Sequence, residues 1–427
     1  MKLRGRVTLK PDRERTLRGG NPWIFSHAVA RIDPPDLRPG DGVAVHDASD
    51  NPLGYGYYHS ATTIAVRMLA MGDAVAPDRI VDYRVAGALR LRSRLIRSDT
   101  NCYRLINGEG DGLPGIVVER YADVIVLQIL TAGAEALRDE VIDALNSRLR
   151  PRAIIERSQG AVRRREGLAD RVGIASGAAI TEVRVFENGI PLLIDLAHGQ
   201  KTGWFMDQRE NRLRVRALAR DARVLDLYCY GGGFALNALR GGAREVVGVD
   251  SSAPALDWAR RNLALASSHN QDSRPDRGEP KQGVAMLGPS DSAVASDRCR
   301  FVQDDVARFL ANPEPRFDIV VMDPPPLARS QKDAERAGRL YIWLNAQAMR
   351  TVAPGGTLFT FSCSAHFRGE EFVRAVRIAQ GLAGRHFRVI EHLGAAPDHP
   401  QLLGHPEAEY LTGLWLEDLG AASSPAR

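Results

Sequence analysis

The spacing of apolar residues divides the chain into parts with different patterns. Up to about residue 73, β-rich runs such as VAVHD, GYGYY and TTIAVRML lie between turn signals, which predicts a small all-β module. From 74 to 187, the runs GIVVERY, VIVLQIL and RAIIER accompany helical patterns, including an arginine-rich amphipathic helix over 76–98. This second part is predicted to be a compact α+β domain.

The part from 188 to 427 alternates apolar strands with helices. Its strand patterns are RVLDLY, EVVGVD, FDIVVMD and GTLFTFS. Such alternation predicts an α/β domain with a mostly parallel sheet and helices on both faces. The segment 267–298 is rich in Ser, Asp, Gly and Pro without a clear period, which favours a disordered surface insertion over an RNA-contacting flap.

Composition and charge narrow the class of protein. The chain is 44% hydrophobic and 26% charged, and it has no apolar run of about 18 residues, which argues against a membrane protein. The basic first twenty residues have no apolar region of a secretory signal, so a cytoplasmic location is expected. Lys and Arg number 57 against 52 acids, which favours a polyanionic partner. The four cysteines lack zinc-ligand spacing, so neither a disulfide framework nor a metal site is predicted.

A glycine-rich loop follows the first strand of the C-terminal part. Asp226 precedes Gly231–Gly233 at a strand-to-helix turn, where backbone N–H groups can meet an anionic ligand. Asp250 ends the next strand, near the spacing at which an acid binds ribose hydroxyls. Asp305 follows a third strand and either contacts an adenine amino group or caps the next helix. The pattern favours a nucleoside-cofactor site, although such glycines also serve packing alone.

Two further strand ends supply candidates for chemistry. The strand FDIVVMD ends at Asp323, and the prolines that follow stiffen a loop at the edge where ligands of open α/β sheets bind. The strand GTLFTFS reaches the same edge and delivers Cys363 between two serines. Lone cysteines are mostly buried structural residues. This position instead suits a nucleophile.

Several segments together carry a family resemblance. They are NPWIF, INGEGDGLPGIVVERY, IIERSQGAVRRREGL, ENGIPLLIDLAHGQKTGWFMDQRENR, DLYCYGGGFALNAL, DPPPLARSQKD, FSCS and PDHP. They resemble the bacterial S-adenosylmethionine-dependent 23S rRNA (cytosine-C5) methyltransferase family with an N-terminal PUA domain. The resemblance covers nearly the whole chain. It implies a PUA-like domain at 1–73, a middle domain at 74–187 and a Rossmann-like class I methyltransferase domain at 188–427.

The resemblance also implies the cofactor, the partner and residue roles. The cofactor would be S-adenosylmethionine, and the partner 23S ribosomal RNA or the assembling large subunit. Cys363 would add to C6 of cytosine while Asp323 binds the N3/N4 edge of the base. Contacts to RNA are expected from Pro324, Pro325, Arg163 and Arg164. Contacts to the cofactor are expected from Phe205, Gln208, Arg209, Asp226, Tyr228, Gly231, Gly233, Asp250, Ser251 and Asp305.

The sequence departs from the family pattern and leaves alternatives open. Pro326 and Leu327 stand where the family usually has Lys and Phe, and the loop has no cysteine, so the base that removes the C5 proton is unassigned. Another ribosomal target, uridine C5 or an exocyclic amine, is one alternative. A catalytically silent RNA-binding ribosome-assembly factor is another. A homodimer is also left open. A nicotinamide dehydrogenase is disfavoured because YGGGF lacks the full GxGxxG spacing.

Overall fold

The computed structural model describes residues 1–72, 75–197, 203–272, 296–311, 316–328, 333–364 and 367–421. These residues divide into two compact units. The first comprises Met1–Phe186, Ile194–Met206 and Pro397–Glu409, and the second comprises Glu187–Leu193, Asp207–Ala396 and the chain from Tyr410 onward.

The first unit begins with a six-stranded sheet, as predicted for an all-β module. Its strands are β1 (Leu3–Leu9), β2 (Trp23–Phe25), β3 (Val29–Asp33), β4 (Gly42–His46), β5 (Pro52–Tyr58) and β6 (Ile64–Met71), with helix α1 (Glu14–Arg18) after β1. The strand order is β2-β6-β5-β4-β1-β3. Only β1 and β4 run parallel in this sheet. Alternating apolar residues such as Val7, Leu9, Val43 and Val45 are fully buried and form the core.

A second sheet of the first unit has five strands packed with helices. The elements are α2 (Ile80–Leu95), β7 (Cys102–Asn107), β8 (Ile116–Tyr121), β9 (Val124–Ile129), α3 (Ala132–Ala136), α4 (Arg138–Leu149), β10 (Ala153–Ser158), α5 (Ala161–Arg165) and β11 (Arg171–Gly177). The strand order is β11-β10-β9-β8-β7. The predicted amphipathic helix is α2, but its arginines are not all on a cationic face. Arg92 is buried and forms an ion pair with Asp111.

A β-hairpin with a two-residue turn follows. Strands β12 (Glu182–Glu187) and β13 (Ile190–Asp195) form a two-stranded sheet. Asn188 and Gly189 lie between them with φ angles of 52° and 74°. Positive φ at both central positions is the requirement of a type I′ turn, which Asn-Gly satisfies at little steric cost. Asn-Gly, a turn signal that can be read from the sequence, therefore stands where the chain forms this turn.

The second unit contains a seven-stranded, mostly parallel sheet, as the alternating pattern predicted. Its elements are α6 (Arg209–Leu218), β14 (Arg223–Leu227), α7 (Gly233–Arg240), β15 (Glu245–Asp250), α8 (Ala253–Asp272), β16 (Cys299–Gln303), α9 (Val306–Ala311), β17 (Phe317–Met322), α10 (Ala334–Thr351), β18 (Val352–Ser362), α11 (Glu370–Ala383), β19 (Arg385–Leu393) and β20 (Thr412–Ala421). The strand order is β16-β15-β14-β17-β18-β20-β19. Strands β14 to β18 are parallel, and β20 is antiparallel to both of its neighbours.

The predicted domain 188–427 is not continuous in the structure. Two segments within it, 194–206 and 397–409, belong to the first unit. Asp398 connects the segment 397–409 to the first unit. Its carboxylate accepts a hydrogen bond from the backbone N–H of Arg104 at 2.8 Å, and its carbonyl accepts one from the Arg92 guanidinium at 2.8 Å. These contacts join residues about 300 positions apart, which no local pattern in the sequence can predict.

Part of the segment 267–298, predicted to be a disordered insertion, is helical in the structure. Helix α8 continues to Asp272, and the hydroxyls of Ser267 and Ser268 donate to the carbonyls of Leu263 and Leu265 at 2.8 and 3.0 Å. Serine tolerates the helix here through these bonds to the preceding turn. Residues 273–295 of the predicted insertion lie outside the described residues. None of the helices in the described part of the chain has the length and apolar character needed to cross a membrane.

Candidate active site

The loop from β14 to α7 lies at the carboxyl edge of the sheet of the second unit. Its backbone turns at Tyr228, Tyr230 and Gly232, with φ angles of 62°, 47° and 82°. The carbonyl of Gly231 accepts a hydrogen bond from α8, and Gly233 is the first residue of α7. Left-handed φ is costly for a tyrosine, so surrounding contacts must hold the loop in this shape.

Asp226 is buried beneath this loop. Its Oδ2 accepts the N–H of Ala235 at 3.0 Å, whereas its Oδ1 has no hydrogen-bond partner among the residues that the structure describes. The pKa of Asp226 is raised to about 8, chiefly by burial and also by the nearby carboxylate of Asp323, against the hydrogen bond from Ala235. A buried carboxyl with an unused acceptor suits a cationic or hydrogen-donating ligand.

Asp250 and Asp305 follow the next two strands of the sheet. The Asp250 carboxylate accepts the N–H of Tyr230 at 3.0 Å and that of Ser252 at 2.9 Å. Ser251 is exposed beside it. Asp305 accepts the N–H of Arg308 at 3.0 Å and thus caps α9, which is the structural alternative raised for it from the sequence.

Tyr228 is influenced by the charge of both acids. Burial raises the pKa of Tyr228 well above its usual value, with further contributions from Asp305 and Asp250. The phenol therefore lies close enough to both carboxylates for their charge to raise its pKa, and it stays neutral at physiological pH. Because β14, β15 and β16 are neighbours, Asp226, Asp250 and Asp305 occupy successive positions along one sheet edge.

Asp323 and Cys363 come together at the same edge. Strands β17 and β18 are parallel, with Met322 opposite Thr360, so both strands end there. The Sγ of Cys363 donates to the carbonyl oxygen of Pro324 at 3.6 Å. Cys363 and Asp323 are both half-buried, whereas Pro325 is exposed. The predicted nucleophile thus lies against the loop that begins with the predicted base-binding acid.

The other cysteines have different surroundings. Cys102 and Cys229 are buried, and burial raises the pKa of Cys229 well above its usual value. Burial also raises the pKa of Cys299 to about 12. Thiols with such pKa values hold their protons at neutral pH and are poor nucleophiles. Their surroundings favour structural roles, as expected from the sequence.

Gln208 and Arg209 are buried at the start of α6 in the second unit. The Oε1 of Gln208 accepts a hydrogen bond from the side chain of Asn211 at 2.6 Å. Phe205 is partly buried and belongs to a segment of the first unit. Of the three residues expected at the cofactor entrance, two therefore belong to the same unit as the acids described above.

The expected RNA contact by Arg163 needs correction. The side chain of Arg163 is 3% exposed, and its guanidinium pairs with Glu135 at 2.7 Å and donates to the carbonyl of Ile129 at 2.8 Å. A guanidinium so enclosed stabilises the first unit and does not reach a phosphate. Arg164, in contrast, is 61% exposed and pairs with Asp170 at 3.3 Å.

Arg212 is a site residue that the sequence did not reveal. Its guanidinium donates to both carboxylate oxygens of Glu187 at 2.7 and 2.9 Å, and it lies 5.7 Å from the ring centre of Phe234. Its positive charge lowers the pKa of Asp226, opposing burial. The motif RENR showed a charged helix start but not which arginine turns inward.

Comparison with known proteins places this site in a family. Residues 7–71 match a PUA-like domain, and residues 156–273 match an S-adenosylmethionine-dependent methyltransferase. The ribosomal RNA large subunit methyltransferase I of Pseudoalteromonas atlantica is 36% identical over 417 residues, covering 96% of this chain and 99% of that protein. The protein of the same name from Escherichia coli is 36% identical over 415 residues, covering 96% and 98%. The chain belongs to the ribosomal RNA large subunit methyltransferase I family.

Solved structures agree with this assignment at the level of fold. A candidate S-adenosylmethionine-dependent methyltransferase from Streptococcus mutans has a TM-score of 0.75 at 18% identity, covering 96% of this chain and 99% of that one. A candidate methyltransferase complexed with SAH has a TM-score of 0.77 with the same identity and coverage. The predicted family, the PUA-like and Rossmann-like folds and the S-adenosylmethionine-dependent enzyme class are therefore confirmed.

Proposed function

We propose that this member of the family transfers a methyl group from S-adenosylmethionine to C5 of a cytosine in 23S ribosomal RNA. The observation that carries the proposal is the position of Cys363. Its thiol contacts the carbonyl of Pro324, at the sheet edge that also carries Asp226, Asp250 and Asp305. A methylation of an exocyclic amine needs no thiol there, whereas a C5 methylation does.

The acids along the sheet edge fit the cofactor. We assign the methionine end to the loop of Asp226, Tyr228, Gly231 and Gly233, where the unused Oδ1 of Asp226 can accept a hydrogen bond from an ammonium group. The ribose and adenine are assigned to three residues further along that edge, namely Asp250, Ser251 and Asp305. When bound, S-adenosylmethionine would supply an electrophilic methyl group, with S-adenosylhomocysteine as the leaving group.

Cys363 makes the base reactive. Its thiolate adds to C6 of cytosine, forming an Sγ–C6 bond and giving C5 the electron density to accept the methyl group. Asp323 binds the N3/N4 edge and stabilises the charge that develops there. The C5 proton then leaves to a base. The electron pair of the C5–H bond expels the Cys363 thiolate and restores the aromatic ring.

The RNA must present its target base to this site. A stacked base leaves its neighbours at a cost of a few kcal/mol, which is smaller for an unpaired base. Exposed basic residues such as Arg164 contribute phosphate contacts, and these make binding depend on salt. A homodimer and a cytoplasmic location stay predictions, and size-exclusion chromatography with light scattering tests the former.

The test is methyl transfer to deproteinised 23S rRNA. Labelled S-adenosylmethionine is used with the wild type, with Cys363→Ala and with Cys102→Ala, and the labelled nucleoside is identified by mass spectrometry. Cys102 is a matched control because it is a buried thiol of the first unit. We expect 5-methylcytidine from the wild type and the control but not from Cys363→Ala. A labelled uridine or exocyclic amine, or activity of Cys363→Ala, contradicts the proposal.

A further inference from the structure

Three buried hydroxyls surround the backbone of Cys363. Ser362 and Ser364 flank the cysteine, and Tyr341 reaches both of them from α10, with each oxygen–oxygen distance 3.0 Å. All three side chains are fully buried. Burial raises the pKa of Tyr341 to about 12, so the phenol keeps its proton at physiological pH.

The cluster also holds the loop that follows Asp323. The Oγ of Ser364 accepts the backbone N–H groups of Leu327 at 3.0 Å and Ala328 at 3.3 Å. A hydroxyl has two acceptor lone pairs and one proton. Both lone pairs of Ser364 are thus used, and its proton is left for Tyr341.

Hydrogen bonds join Tyr341 to both serines. Tyr341 accepts from Ser364 and from Ser362, and Ser362 shares its one proton between Tyr341 and a second acceptor. Ser362 donates to the carbonyl of Phe367 at 2.8 Å and also accepts the N–H of Ser364 at 3.3 Å. Each of the three hydroxyls is thus hydrogen-bonded to another member of the cluster.

This cluster of hydroxyls connects the loop after Asp323 with the residues that flank Cys363. One end holds Leu327 and Ala328, directly after the proline loop, and the other fixes the residues on either side of Cys363. The contact between the Cys363 thiol and the carbonyl of Pro324 lies between these anchors. Loss of one hydroxyl frees both loops to shift, and near-attack geometry tolerates little displacement.

We propose that Tyr341 and Ser364 are positioning residues, which hold the Cys363 thiol at a fixed place relative to the Asp323 loop. This rests on the proposed function, since it assumes that Cys363 attacks the base. Neither residue touches the reacting atoms. Their contribution is to keep the nucleophile and the base-binding loop together.

The test compares Tyr341→Phe with Thr360→Val. Thr360 is a suitable control because its buried hydroxyl also joins β18 to α10, donating to Asn345 at 2.6 Å, but contacts neither loop. Methyl transfer to deproteinised 23S rRNA, the KM for S-adenosylmethionine and thermal unfolding are measured for both variants. We expect kcat to fall about 10- to 100-fold in Tyr341→Phe with an unchanged KM, and to stay near the wild-type value in Thr360→Val.

A second pair guards against a variant that fails to fold. Ser364→Thr keeps the hydroxyl and should retain most of the wild-type kcat, whereas Ser364→Ala should fall with Tyr341→Phe. Equal kcat values for Tyr341→Phe and Thr360→Val, or for the two Ser364 variants, overturn the positioning role. Activity of Cys363→Ala in the same assay instead overturns the proposed covalent function, so the two failures are distinguishable.

Discussion

Asp226 provides the most quantitative test of the site. The substitution Asp226→Asn keeps the size of the side chain and an acceptor for the N–H of Ala235, which lies 3.0 Å from Oδ2. It removes only the ability to ionise. Because the carboxyl is buried, the variant should be more stable than the wild type without cofactor.

The magnitude follows from the pKa of Asp226. Burial raises it from 3.8 to about 8 in the folded protein. An acid with a raised folded pKa binds more protons when folded, so stability falls as pH rises from 3.8 to about 8. At pH 7 the cost is about 4 kcal/mol, and the buried amide of Asn offsets part of the gain, leaving about 2 to 4 kcal/mol. At pH 4 the gain should be below about 1 kcal/mol.

The assay is urea unfolding of the wild type and Asp226→Asn between pH 4 and pH 8, without cofactor. The difference between the two proteins cancels the titration of all other groups. Asp257→Asn serves as a control, because Asp257 is an exposed residue of α8 whose removal should change stability little at any pH. In calorimetry, Asp226→Asn should also lose affinity for SAH, since the proposed site loses its carboxylate.

A flat difference across this pH range would refute the reasoning. Asp226 would then have an ordinary pKa when folded, and the burial of its carboxyl would not favour the protonated form. A gain that appears at pH 4 and persists unchanged to pH 8 would have another source, such as better packing of the amide. Only a gain that grows between these limits supports the assigned electrostatics.

Three further predictions concern the first unit. Arg164→Ala should weaken binding of 23S rRNA and lower the salt dependence of binding by about one phosphate contact, measured by filter binding at several salt concentrations. Arg163→Ala should instead lower the unfolding temperature, because Glu135 loses its buried partner. Asp398→Ala should lower the unfolding free energy by about 1 to 3 kcal/mol, because the N–H of Arg104 loses its acceptor. Equal RNA binding by the two arginine variants, or unchanged urea unfolding of Asp398→Ala, would contradict these assignments.

The sequence predicted the positions of most site residues because they follow from strand ends. Parallel strands deliver their last residues to one edge, so Asp226, Asp250, Asp323 and Cys363 could be grouped without knowledge of side-chain contacts. The dipeptide Asn188-Gly189 is likewise a local turn signal. In each case the information is local, since a strand pattern and the residue after it suffice.

What the sequence could not reveal depends on side-chain direction. In the run around Arg163 and Arg164, adjacent arginines have the same chemistry, and contacts with Glu135 and the carbonyl of Ile129 hold one of them inward. Tyr341 lies in an amphipathic helix, where a tyrosine is most simply a core residue, and its hydroxyl partners lie more than 20 positions away. Such pairs require the folded chain.

The glycine loop shows why a motif can be absent while its geometry is present. The loop YGGGF lacks the GxGxxG spacing, and the turn was attributed to Gly231–Gly233. In the structure, Tyr228 and Tyr230 also adopt left-handed φ, and the N–H of Tyr230 is held by the carboxylate of Asp250 at 3.0 Å. The strain that glycine would avoid is thus balanced by a charged acceptor. Asp250 therefore shapes the turn at the proposed methionine end as well as facing the proposed ribose position, so these two parts of the site depend on one side chain.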